Sequence, residues 1–148
     1  MNLHSSIKMT GNLSIKKWNK DQELVLDIEV PNLVVTSGKQ YIANRIASNS
    51  ISTIMSYMGI GNNSTAASLS NTDLLGSLYR NVLTSTTVNG SNITYVGVFA
   101  PGEGTGTILE AGIFNANSAG TMLCRTTFPS ITKSITDTIA ITWTVTVG

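Results

Sequence analysis

Two glutamates, Glu103 and Glu110, flank a glycine-rich run, APGEGTGTILEAGIF, that spans Ala100 to Phe114. Two carboxylates on opposite arms of such a turn are the least equipment a glycoside hydrolase needs. Nothing in the sequence enforces their approach, and the remaining chemistry-bearing residues are sparse. His4 is the one imidazole and Cys124 the one thiol, and no Gly-x-Ser-x-Gly motif occurs. Nucleophilic catalysis would therefore lack a base. Glycines 102, 104 and 106 invite a phosphate-loop reading, but a Walker loop ends in Gly-Lys-Ser/Thr and opens a helix. Here a strand-like run follows, and Glu103 would repel a phosphate. The acids after residue 40 are Asp73, Glu103, Glu110 and Asp137, too scattered for metal-ligand spacing. The expectation is no enzyme, no cofactor and no metal.

Glu110 invites a structural reading. Alternation in Ile108–Phe114 puts it on one face with Ile108, Gly112 and Phe114. It stands either in water at a sheet edge or buried beside a cation, because a buried carboxylate without one is costly. Arg80 is the preferred partner and Arg125 the other candidate. Trp143 falls on an inward face, whereas Trp18, between Lys17 and Asn19-Lys20, lies in a turn and is a candidate contact residue.

These residues must be held by a fold that is mostly strand. The last segment, Thr138–Val147, alternates Ile139, Ile141, Trp143, Val145 and Val147 inward with Ala140, Thr142, Thr144 and Thr146 outward. Residues Ser5–Val30 read as a hairpin turning in Trp18–Gln22, with Glu23, Asp27 and Glu29 on the solvent side and Pro31 at its end. One helix is expected at about residues 37–48, capped by Thr36 or Ser37, with Ile42 and Ile46 on its apolar side. Met55–Gly61 reads as a buried strand, Asn62–Asn71 as an exposed loop, and Thr72–Leu75 as a single helical turn. Asn89-Gly90 marks a type I′ hairpin joining a strand Val82–Val88 to Ile93–Phe99. Together these elements predict a mainly β protein: a two-sheet antiparallel β-sandwich of seven to nine strands with one short helix. Residues 1–31 form an N-terminal hairpin or arm, possibly part of the same domain, and residues 32–148 form the sandwich.

Composition bears on partners. Of 148 residues 41% are hydrophobic, but only 11% are charged, against about 25% in ordinary soluble domains. Ser, Thr and Asn carry the polarity instead. With so little charge repulsion, such a surface suits a chain largely covered by copies of itself or by partners. The net charge is +1, and Lys16, Lys17 and Lys20 are offset by Asp21 and Glu23, so no basic stripe for nucleic acid forms. No run approaches about 18 apolar residues, and MNLHSSIKMTGN has no signal-like apolar core. Neither membrane insertion nor secretion is expected, so triplets such as Asn92-Ile93-Thr94 carry no glycosylation meaning.

Three segments resemble small structural proteins of tailed bacteriophages, found among tail-fibre, tail-adaptor and head-fibre-associated components. They are Asn32–Ala47 (NLVVTSGKQYIANRIA), Met58–Arg80 (MGIGNNSTAASLSNTDLLGSLYR) and Tyr95–Phe128. The shared order is Val-Thr-x-Gly at a helix start, then Gly-x-Gly before a small-residue loop and Thr-x-Leu…Arg. A glycine-rich loop leading to Ile-x-Glu-Ala-Gly-Ile-Phe follows. The likeness covers about residues 32–147 and leaves out the Lys-rich hairpin. Proteins of this kind often carry an acidic residue shortly before the arginine; here Gly76-Ser77-Leu78-Tyr79 precede Arg80, which moves any salt-bridge role elsewhere.

The resemblance implies no catalytic residues and repeated copies in a symmetric assembly, trimeric or matched to a ring of the neck or tail. The leading expectation is thus a virion structural protein, made and assembled in the host cytoplasm, at the tail, neck or capsid surface. It would contact itself and other virion proteins through Trp18, Lys17, Lys20, Asn62, Asn63 and Glu103. The alternative is a carbohydrate-binding sandwich for host adsorption that holds a host glycan with Trp18, Tyr57 or loop asparagines. A hydrolase acting through Glu103 or Glu110 is the third reading.

Overall fold

In a computed structural model, which describes residues 7–47 and 53–148, the chain forms two five-stranded antiparallel sheets packed face to face, with one helix. Ten strands are present among the described residues: β1 (Met9–Trp18), β2 (Leu24–Pro31), β3 (Leu33–Val34), β4 (Tyr57–Gly61), β5 (Ser77–Val82), β6 (Ser85–Asn89), β7 (Asn92–Phe99), β8 (Gly106–Phe114), β9 (Met122–Lys133) and β10 (Thr138–Val147). The first sheet has the order β2-β1-β10-β7-β6, and the second β3-β9-β8-β4-β5. The sandwich with one short helix is the fold that alternation predicts, but it has ten strands where seven to nine are expected, because the segment after Ser77 divides between the two sheets and Leu33–Val34 pairs as a short strand of its own.

The alternation of β10 decides the core of the first sheet. Ile139, Ile141, Trp143 and Val145 are all buried. They align with Leu13 and Ile15 of β1 on one side and with Tyr95 and Phe99 of β7 on the other. Facing them from the second sheet are Met58, Ile60, Ile108, Ala111, Ile113, Cys124, Phe128 and Ile131. Cys124 behaves as the small buried hydrophobe its neighbours suggest, and burial pushes its thiol pKa well up. The N-terminal hairpin belongs to the first sheet, because β1 pairs with β10 over its full length. Its turn is closed by Asn19, whose Oδ1 accepts the N–H groups of Asp21 and Glu23 at 2.9 and 3.1 Å.

Four local expectations need correction. The helix, α1, runs Thr36–Ile46 and starts after Val35 with no side-chain cap; Ser37 Oγ donates instead to the Met122 carbonyl at 3.1 Å. Packing fixes the helix here, since a Cβ on Gly38 would collide with the backbone of Leu123. The strand expected over Val82–Val88 is two strands in different sheets. Leu83 N–H still bonds the Ser56 carbonyl beside β4, while Thr84 N–H already bonds Val96 of β7, so the chain changes sheet between these two residues. The following turn has Gly90-Ser91 at its centre, with Asn89 paired to Asn92. Only Gly90 among them has positive φ, 59°, the pattern of a type II′ turn rather than type I′. Finally, Thr72–Leu75 is not helical, because the N–H of Leu75 is taken by a side chain from the sheet beneath.

Candidate functional site

Each sheet has an inner face in the core and an outer face, and the two outer faces differ completely. On the second sheet, Glu110 of β8 and Arg125 of β9 are both fully buried, with Arg125 Nε donating to Glu110 Oε2 at 2.8 Å. Glu110 also accepts the backbone N–H of Leu75 at 3.1 Å and of Gly76 at 2.6 Å. Arg125 reaches on to Asn71 Oδ1 at 3.1 Å and to the Thr65 carbonyl at 2.9 Å. Charge pairing and hydrogen bonding together satisfy both ions, the condition under which a buried pair is tolerated.

The preferred partner for Glu110, Arg80, is therefore wrong, and Arg125 holds that place. Register gives the reason: Arg125 lies opposite Gly112, two residues along β8 from Glu110 on the same face. Arg80 lies opposite Gly59. Its guanidinium stacks 3.5 Å from the centroid of the Phe114 ring and donates to Asp73 and to the carbonyls of Ala116 and Ala119. Burial lowers its pKa, against the charge of Asp73. Asp73, some residues upstream, supplies the acidic partner that Gly76–Tyr79 do not.

The expected face of Glu110 also needs one amendment. Ile108 points into the core, whereas Glu110 points outward with Gly112 and Phe114. The pairing steps from Ile108–Ile131 to Glu110–Thr127, so Phe128, Pro129 and Ser130 lie opposite Leu109 alone. That irregularity moves the following residues to the other face.

The Asn62–Asn71 segment is no free arm. Its side chains are mostly exposed, but its backbone is tied to Arg125 of β9 through the Thr65 carbonyl, to the residue before β5 through Asn62 N–H to the Gly76 carbonyl, and to the start of α1 through Thr36 N–H to the Leu69 carbonyl. Leu74 then packs with Val35, Phe114 and Met122 in a small second core. The Gly-x-Gly of β4 is the floor of this contact: a Cβ on Gly61 would strike Glu110 and the Gly76 carbonyl, and one on Gly59 would press on Leu74 and Phe114.

Glu103 closes its own loop: Oε2 accepts the N–H of Ala100 at 2.9 Å and Asn81 Nδ2 at 3.1 Å. The buried Lys133 donates to the Ala100 carbonyl at 2.9 Å. Gly104 packs on Ile60 and Tyr79. The glycine run is thus a tied connector between the sheets, with Glu103, half-exposed, bonded through Oε2 to its own loop and to Asn81. Glu103 and Glu110 sit in separate hydrogen-bond networks, each carboxylate occupied by its own donors. No group of three or more metal-ligating side chains occurs among the described residues. His4 lies outside them.

The outer face of the first sheet is bare. Asn12 aligns with Thr144, Thr94 and Thr87 across four strands, and Ser14 aligns with Thr142, Val96 and Ser85. All are exposed or half-exposed. Lys16, Asp27 and Glu29 lie only toward the β2 side, and Trp18, half-buried, closes one end opposite Thr138. The hydroxyl-bearing residues recur about 7 Å apart along a strand and about 5 Å across it, a hydrogen-bonding surface that is uncharged away from its β2 side. Of the residues singled out from sequence, only Trp18 lies on this face. Lys17 is turned to the Thr132 carbonyl at 2.9 Å, Lys20 is exposed in the hairpin turn, Asn62 is exposed, and Asn63 holds the Thr65 N–H. Tyr57 packs against the small second core. The face itself was missed, although the outward threonines of the last strand signalled it.

An apolar pocket of about 310 Å3 lies between α1 and the inner face of the first sheet, lined by Tyr41, Ile42, Tyr95 and Val145 among others. No helix among the described residues is long and apolar enough to cross a membrane. No family model matches the chain, and neither the curated proteins nor the solved structures include a match.

Proposed function

We propose that the chain is a non-enzymatic structural subunit of a bacteriophage particle, present in several copies at the tail, neck or capsid surface, where it anchors or decorates fibres. The observation that carries the subunit reading is the open outer face of the first sheet, uncharged over its centre, in a chain only 11% charged. A surface of this kind has little to keep it dispersed and much to offer a neighbour. The occupied carboxylates of Glu103 and Glu110 support the non-enzymatic part. The placement in a virion rests on the resemblance of residues 32–147 to phage structural proteins. Cryo-electron microscopy of the particle tests the proposal: density for this sandwich with the first sheet against a neighbour is expected, and its absence from purified particles sinks it.

One observation favours a second reading, glycan binding for host adsorption. Trp18 is half-buried at the end of a face whose hydroxyl and amide groups could bond a sugar. Saturable binding on a glycan array, lost in Trp18→Ala, is the result that would favour it.

A further inference from the structure

We propose that β6 is a self-pairing edge, through which two copies of this chain join their first sheets into one continuous ten-stranded sheet about a two-fold axis. The pairing presupposes the multi-copy subunit proposed above and names its partner and surface.

The two edges of the first sheet are not equivalent. β2 carries Asp27 and Glu29, follows Glu23, and ends in Pro31, the features by which an edge is protected from further pairing. β6, Ser-Thr-Thr-Val-Asn, carries no charge and no proline, and every one of its residues is exposed. From Leu74 to Phe99 the only charged side chain is Arg80, and it is held by Asp73 and two carbonyls. The edge strand of the second sheet that leads into β6, β5, adds the exposed Leu78 and Val82, and Val88 of β6 is exposed as well. This side of the sandwich is thus an uncharged, partly apolar strip above which one row of backbone groups has no strand partner.

Strand direction and charge together select the occupant. Every neighbouring pair in the five-stranded sheet is antiparallel, so β2 and β6 run the same way. A head-to-tail contact of β6 with β2 of the next copy would therefore be parallel, the weaker ladder, and would set an acidic edge against a neutral one. A two-fold contact of β6 with β6 is antiparallel and brings no like charges together. Two copies of β2 paired in that way would bring Asp27 and Glu29 against their own kind. With Thr87, the middle residue of β6, opposite its own copy, the exposed Val88 of each copy comes to the junction. The bare hydroxyl face then runs unbroken across both copies.

Light scattering of the full chain over a concentration series, with three variants, tests this. Directly opposed residues of an antiparallel pair lie about 4.5–5.5 Å apart, within reach of a disulfide, so Thr87→Cys should give a covalent dimer on oxidation. Cys124 is buried and does not compete. Thr87→Lys sets two ammonium groups face to face and should weaken the dimer at least about tenfold without lowering the melting temperature; Val88→Lys repeats the test at the neighbouring position. Thr142→Lys, on the open face, should leave the dimer intact. A trimer, or a multimer that survives both lysine variants and does not cross-link through Thr87→Cys, overturns the edge pairing and leaves the multi-copy subunit standing. A monomer throughout the series that is also absent from particles overturns both.

Discussion

The two sheets share one core yet finish their outer faces in opposite ways. The second sheet is roofed: the 62–76 segment crosses it, held by a sealed Glu110–Arg125 pair and seated on Gly59 and Gly61. The first sheet is left open among the described residues, and the centre of its outer face is rich in threonine, serine and asparagine, with Val96 and Val98 among them and its charges toward the β2 side. Three buried charges, Glu110, Arg125 and Lys133, therefore fasten a strap and a loop from inside, while the centre of the first sheet turns uncharged polar groups outward. The difference teaches that two of the scarce ionic residues, Glu110 and Arg125, form a structural clip, and under the proposed function contact with other molecules falls to the hydroxyl-rich face.

Breaking the roof should cost most. Arg125→Ala leaves the Glu110 carboxylate buried without its cation, and a loss of about 3–5 kcal/mol is expected in chemical denaturation. The paired change Glu110→Gln with Arg125→Met should cost less than the sum of the two single changes, because the uncompensated charge is gone. Gly61→Ala comes next at about 1–3 kcal/mol, since the added methyl meets Glu110 and the Gly76 carbonyl. Arg80→Ala should lower stability by about 1–2 kcal/mol through loss of the Phe114 stack and two carbonyl bonds. If Arg80→Ala proves as damaging as Arg125→Ala, the ranking of the two arginines by burial is wrong. On the open face, Thr142→Lys should change stability by less than about 0.5 kcal/mol yet reduce incorporation into particles. Unchanged incorporation would mean that this face is not the contact. Cys124 should resist alkylation in the native protein and react only on unfolding, and rapid native labelling would show that the core around β9 opens.

Much of the fold was legible because its strongest signal is local. The perfect alternation of Thr138–Val147 places a strand and its inward residues, and the structure buries Ile139, Ile141, Trp143 and Val145 as that alternation requires; its central rank in the first sheet came only with the tertiary structure. The turn at Trp18–Gln22 was equally readable, because an asparagine side chain and a positive φ at Gln22 act within five residues. Val82–Val88 misled for the complementary reason. Nothing local marks the point where a chain leaves one sheet for the other, and two exposed half-strands read as one. Deleting residues 1–30, an obvious way to test the hairpin as an anchor, would in fact remove two strands of the first sheet.

The candidate site divides along the same line. That Glu110 needs a cation followed from its apolar neighbours and from the cost of burying a carboxylate. Which cation it takes was decided by the register of β8 with β9 and by the irregular pairing after Ile108, which sends Glu110 to the roofed side and brings Arg125 to it. Likewise the outward threonines of β10 could be read from the sequence, but a surface exists only once β1, β7 and β6 lay their own hydroxyls alongside. The sequence by itself determined strand, face and the scarcity of charge, because these depend on residue type and a period of two. The tertiary structure decided partners and surfaces, because these depend on which distant strands become neighbours and in what register.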